Sequence, residues 1–231
     1  MPTRFPGGVS NTSSTGTMAE LGSLDPTKYH IFFDDFDTYT AGDWTITTTE
    51  TGSGNASEAL SDADGGVLLI TNDDANNDAD FFNKKGESFA RELGKNLWFK
   101  ARFKVSDATQ SDFVMGLQNT DTTPLAVNTG VYFSKNDGDT NLDFNVYTGI
   151  TTTLSIPAIA TVVDDTYISV GFHIGGIRWR TVIDYYVDDV KTGVARGIVP
   201  GTEMTVSFGI QNGEAAAKTM SLDYVYAAKE R

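Results

Sequence analysis

The chain has 231 residues, 39% hydrophobic and 21% charged, with a formal net charge of −14 and no cysteine. These values fit a globular body able to bury a sizeable core, and they exclude disulfides, thiolate chemistry and cysteine-ligated zinc. The acidity argues against direct nucleic-acid binding. No run approaches the ~20 apolar residues of a membrane helix, and no secretory apolar stretch heads the chain.

Residues 1–28 are Gly/Ser/Thr-rich and lack apolar periodicity. A free tail of this composition is disordered, so the stretch is expected to be an extended anchoring arm held by other proteins. Arg4, Phe5, Val9, Met18, Leu21 and Leu24 are its contact residues, with Arg4 suited to carboxylates and Phe5 to a pocket. From Tyr29 onward the texture becomes alternating, which is the strand signal. Val67 to Thr71 and Phe81-Phe82 are predicted strands around an Asp/Asn loop, and Glu87 to Leu93 is a short helical turn. Leu97, Phe99, Ala101, Phe103 and Val105 alternate with Trp98, Lys100, Arg102 and Lys104, a half-buried strand with a basic outer face.

Phe113, Met115 and Leu117 repeat that pattern. Val131 and Phe133, the turn KNDGD, and then Leu142, Phe144 and Val146 make a hairpin. Ile168 to Ile174 is a strand closed by Gly175-Gly176, and Arg178–Val187 and Val190–Ile198 flank Asp188-Asp189 as a second hairpin. Val206, Phe208 and Ile210 precede the turn QNGE, and Met220, Leu222, Tyr224 and Tyr226 form the last strand. Ten or more short strands with regular turns predict an all-β fold, an antiparallel β-sandwich or jelly roll over residues 29–231.

Charge is uneven along this body. No Lys or Arg occurs between Ile31 and Asn83, whereas Lys84, Lys85, Arg91, Lys95, Lys100, Arg102 and Lys104 follow closely. One negative and one positive face would suit packing of copies side by side; a solvated acidic surface accounts for the pattern equally well.

The chemistry-bearing residues are sparse. Serine-type hydrolysis needs a base, yet His30 and His173 are the only histidines and no Gly-x-Ser-x-Gly elbow occurs. The loop Asp74-Ala-Asn-Asn-Asp78-Ala-Asp80 sets oxygen ligands at alternate positions, as a calcium loop can, but Ala79 and Lys85 rule out an EF-hand. Trp98, Trp179, Tyr132 and Tyr147 are candidate aromatics for a glycan or a protein interface.

Three stretches resemble the concanavalin A-like lectin/glucanase superfamily, including laminin-G-like domains: FFDDFDTYTAGDW at Phe32–Trp44, VIDYYVDDVKTG at Val182–Gly193, and SLDYVYAAKE at Ser221–Glu230. The resemblance implies two stacked antiparallel sheets, one concave and one convex. It also implies a structural calcium held by Asp223, the aspartate in the last strand. Hydrolases of this fold carry Glu-x-Asp-x-x-Glu or a spacing one residue longer, and no two glutamates here show it, so the chain is expected to be non-enzymatic.

The opening TRFPGGVSN is similar to the starts of tailed-phage structural proteins. Together these resemblances imply a capsid decoration or cement protein on the outside of a phage head. It would bind the major capsid protein and copies of itself as a homotrimer or homodimer, with no cofactor other than a structural calcium. The alternative is a carbohydrate-binding module or virion adhesin on the same jelly roll.

Overall fold

The computed structural model describes residues 27–52, 54–61, 65–149, 153–175, 181–197 and 199–231. The arm residues Arg4, Phe5, Val9, Met18, Leu21 and Leu24, and Trp179, lie outside them. The described strands, in chain order, are β1 (Tyr29–Asp34), β2 (Trp44–Thr49), β3 (Ser57–Ser61), β4 (Val67–Thr71), β5 (Ala79–Lys84), β6 (Leu97–Val105), β7 (Ser111–Gln118) and β8 (Thr129–Lys135). They continue as β9 (Asn141–Thr148), β10 (Thr153–Thr161), β11 (Ile168–Gly175), β12 (Val182–Val187), β13 (Val190–Arg196), β14 (Thr205–Asn212) and β15 (Thr219–Glu230).

The strands form two antiparallel sheets. Sheet A has the order β13-β12-β11-β6-β15-β4-β3, with β1 also paired to β15. Sheet B has the order β10-β9-β8-β7-β14-β5-β2. The first and last described strands are thus neighbours, Tyr29 facing Glu230 and Asp34 facing Val225. The expected all-β sandwich is what the chain forms.

Alternation decides which side chains meet between the sheets. On β6, Leu97, Phe99, Ala101, Phe103 and Val105 point inward and are essentially inaccessible. They meet Phe113, Met115 and Leu117 of β7, Phe133 of β8, Phe144 of β9, Phe172 of β11 and Phe208 of β14 in one core. Phe82 stacks on Phe208 at 5.1 Å, Phe99 on Phe172 at 5.4 Å, and Phe144 on Tyr185 at 5.1 Å.

The other face of β6 is basic, as its sequence indicates. Lys100 pairs with Asp189 at 2.6 Å, Lys104 with Asp165 at 3.7 Å, and Arg102 with Asp223 while lying 4.2 Å over the Tyr167 ring. Trp98 departs from this face's exposed character. It is only 2% exposed, because Tyr29 and His173 close over it, the latter stacked at 5.3 Å. The reading of Trp98 as an exposed aromatic is therefore corrected.

The turn chemistry also falls where expected. The β8–β9 hairpin turns at Gly138 with φ +85°, and the β12–β13 hairpin turns at Asp188 and Asp189 with φ +48° and +62°, the doubly positive pattern of a tight hairpin. The second hairpin's described strand begins at Val182 rather than Arg178. The turn expected over Glu87–Leu93 is irregular, and short 3-10 turns occur instead at Ala41–Asp43 and Pro124–Ala126. Strand β10 is bulged between Ile156 and Ala160, around Pro157 and Ala158, whose φ is +53°.

Two substitutions probe this packing. Phe172→Ala should lower the unfolding free energy by about 3–5 kcal/mol, since the ring is fully buried among Phe99, Phe133 and Phe144. Gly116→Ala should cost about 3 kcal/mol, because its Cβ would lie 2.5 Å from Tyr132 Cα and from the Val131 carbonyl. Both effects would be measured as a lower urea midpoint at unchanged slope.

Candidate functional site

The outward face of sheet B is unlike an ordinary solvated sheet face. Register places Asn83, Ser207, Gly116, Tyr132 and Asn145 in one row across five strands. Asn83 Nδ2 donates to Ser207 Oγ at 2.6 Å, and Asn145 Nδ2 donates to Ser134 Oγ at 2.8 Å. Tyr132 stacks on Tyr147 at 5.7 Å and 24°. Burial, with the Tyr147 hydroxyl beside it, pushes the Tyr132 hydroxyl above the ordinary tyrosine range, so it stays a neutral group. Two amide oxygens here, Asn83 Oδ1 and Gln118 Oε1, are buried without a hydrogen-bond partner.

Residues 119–128 fold over one end of this face. Gln118 Nε2 donates to the Pro124 carbonyl at 3.1 Å, and Asn119 N–H to Thr129 O at 3.1 Å. Leu125 and Val127 thereby join Ala79, Phe81, Val114, Tyr132 and Tyr147 in a small second apolar cluster. Between this loop and strands β2, β5 and β14 lies a groove of about 250 Å³. Its floor is Phe81, Pro124, Leu125 and Ala126, and its rim is Thr47, Thr49, Thr122, Thr123 and Gln211. Among the described residues, no charged side chain lines it. Of the sequence-predicted aromatics, Tyr132 and Tyr147 lie in the cluster beside this groove, whereas Trp98 is on the opposite sheet.

A second constellation sits at one end of the sandwich, where the acidic loop ends. Glu50 follows β2, Asp78 immediately precedes β5, and Asp80 is its second residue. Carboxylate oxygens of Glu50, Asp73 and Asp78 lie within 4.8 Å of one another. Asp78 is fully buried. Burial works against its charge, yet the Thr51 N–H and O–H (2.8 and 2.7 Å) and the Ala75 N–H (3.0 Å) hold its carboxyl below the usual range.

Asp80 faces the same way, accepts from Thr48 Oγ1 at 2.6 Å, and leaves Oδ2 buried and unpartnered. Its burial, opposed by that hydrogen bond and reinforced by Glu58 and Glu50, pushes it up to about 6. Asp74 is exposed and stands apart from the three converging carboxylates. Of the predicted set Asp74, Asp78 and Asp80, then, only Asp78 belongs to that convergence. Glu50 and Asp73 complete it, and Glu50 lies 28 positions before Asp78, so no local spacing could reveal it. Asp223 is committed to the Arg102 guanidinium; a cation there would displace a cation already present, so the residues do not fit the implied calcium.

Folding also brings together a pair that spacing could not. His30 Nε2 lies 3.0 Å from Ser88 Oγ, in a cleft with Glu203, Lys229 and Arg231. Burial, then Lys229 and Arg231, lowers the His30 pKa and favours the neutral imidazole.

Neither a protein-family model nor a curated protein matches the chain. Solved structures do match its fold. The endo-1,3-beta-glucanase of Streptomyces sioyaensis superposes with a TM-score of 0.63 at 12% identity, over 90% of this chain and 98% of that one. A prokaryotic beta-1,3-1,4-glucanase (lichenase) from a mouse hindgut metagenome gives 0.59 at 16%, over 85% and 98%. The carbohydrate recognition domain of Emp47p gives 0.59 at 12%, over 90% and 99%. The chain thus shares the two-sheet jelly-roll fold of these glucanase and carbohydrate-recognition structures. The expectation of a non-enzymatic protein does not stand: two of these three neighbours are glucanases, so this fold is one that enzymes use.

Asp78→Ala would leave three amide and hydroxyl donors without their acceptor. It should lower stability by roughly 2–3 kcal/mol and speed hydrogen exchange at the Thr51 and Ala75 amides, measured by native-state exchange.

Proposed function

We propose that the chain recognises a neutral polysaccharide in the groove between sheet B and residues 119–128. The observation carrying this reading is the pairing of an apolar floor with an uncharged hydrogen-bonding rim. Leu125 and Ala126, backed by the buried Phe81, offer apolar surface to the flat face of a sugar ring. Thr47, Thr49, Thr123 and the Gln211 amide offer donors and acceptors to its hydroxyls. A groove lined by carboxylates or cations would select a charged ligand; among the described residues, this one has neither. The glucanases and the carbohydrate recognition domain of similar fold add support at the level of ligand class.

Asp112 is the residue to examine for turnover. It stands opposite Gln211 in register on the same face, and burial, opposed by the Asp137 N–H bond and aided by the Asp137 charge, raises its carboxyl above the usual range.

A second reading is a capsid decoration protein or virion adhesin tethered by residues 1–28. It rests on the composition of that arm and its TRFPGGVSN opening. Removing residues 2–28 should then abolish binding to phage heads while the sandwich still unfolds cooperatively.

Titration calorimetry with β-1,3- and mixed-linkage β-1,3-1,4-glucan oligosaccharides tests the groove. Saturable binding is expected, weakened at least about tenfold by Gln211→Ala and by Phe81→Ala. No binding to any glucan, or unchanged affinity in both variants, overturns the proposal. Reducing-end release in the same samples, abolished by Asp112→Asn, would mark cleavage as well as recognition.

A further inference from the structure

We propose that Glu50, Asp73 and Asp78 form a binding site for one calcium ion at the end of the sandwich. Their oxygens lie within 4.8 Å of one another. Two oxygens on a shared calcium, each at 2.3–2.6 Å, are at most roughly 5 Å apart, whereas around magnesium the limit is roughly 4.2 Å. Separations of no more than 4.8 Å place the three oxygens within reach of one shared calcium. The donor set is oxygen only, which disfavours zinc and copper.

A second observation points to a missing cation. Asp80 is 99% buried, lies two residues beyond Asp78 on the inward face of β5, and leaves Oδ2 without any partner. Glu50 Oε2 is likewise shielded from water and unpartnered. Glu50 Oε1 is already taken by the Ala56 N–H, so the free oxygen is Oε2. Among the described residues, no Lys, Arg or His forms an ion pair with Glu50, Asp73, Asp78 or Asp80. Buried carboxylates without cations are strongly disfavoured, and one divalent ion would relieve the three converging ones together.

The surrounding chain is built to admit the ligands. Gly54 lies so close to Asp73 that a Cβ there would fall 2.0 Å from its Oδ2. Asn212 Nδ2 donates to the Asp73 and Ala75 carbonyls at 2.6 and 2.9 Å, and Asn72 Nδ2 donates to Asp78 O at 3.0 Å, fixing the loop that presents Asp73 and Asp78.

The test uses the full chain stripped with chelator and melted with and without roughly 5 mM CaCl2, above the range of weak protein sites. Calcium should raise Tm by roughly 5 °C or more. Glu50→Gln and Asp78→Asn should lose that rise, and Asp74→Asn and Asp223→Asn should keep it. Calorimetric titration of the unaltered chain with CaCl2 should give one site, which decides the matter should Asp78→Asn fail to fold. An unchanged Tm with no binding heat overturns the proposal, as does a full calcium response in Glu50→Gln. An equal rise with MgCl2 overturns the assignment to calcium.

Discussion

Phe99, Phe133, Phe144 and Phe172 meet between the sheets with ring centroids 5.1 to 6.3 Å apart. Each comes from a different strand, and each occupies an inward position of a two-residue repeat. A slip of one residue in any of these strands would turn its aromatic ring into water and a polar neighbour into the core. Register is therefore set by the core, and the outward faces inherit their composition from it. On β6 that leaves three cations in a line; on sheet B it leaves amides, hydroxyls and a stacked tyrosine pair.

What could be seen in advance follows from range along the chain. Strand β6, the β8–β9 and β12–β13 hairpins, and β15 are encoded by strict alternation and by turn residues beside it. Strands β2 (WTITTT), β3 (SEALS) and β10 (TLSIPAIAT) escape such reading, because threonine and serine fill positions that large apolar groups would otherwise mark. The sites escape for a different reason. Glu50 meets Asp78 across the β2–β5 pairing, His30 meets Ser88 across 58 positions, and Trp98 is closed over by Tyr29 and His173. Alternation put Trp98 on the correct face, but it carries no information about what covers that face.

The loop between β4 and β5 touches both proposed sites. Its asparagines are anchored on β14: Asn77 N–H donates to Asn212 O at 3.0 Å, and Gln211 Nε2 donates back to Asn77 O at 3.2 Å. Gln211 is also part of the groove rim. Any ordering of the acidic loop therefore reaches the groove through one hydrogen bond and a shared strand, with no movement of the core required.

The irregular stretch of β10 has an outcome at the level of assembly. β10 is a border strand of sheet B, and within it Pro157 lacks an N–H while Ala158 turns with positive φ. An approaching strand would find a broken rail of donors and acceptors along that border. Neighbouring molecules are thus denied a continuous template for growing sheet B sideways, and crowding of many copies can proceed without fusing them into fibres along this edge.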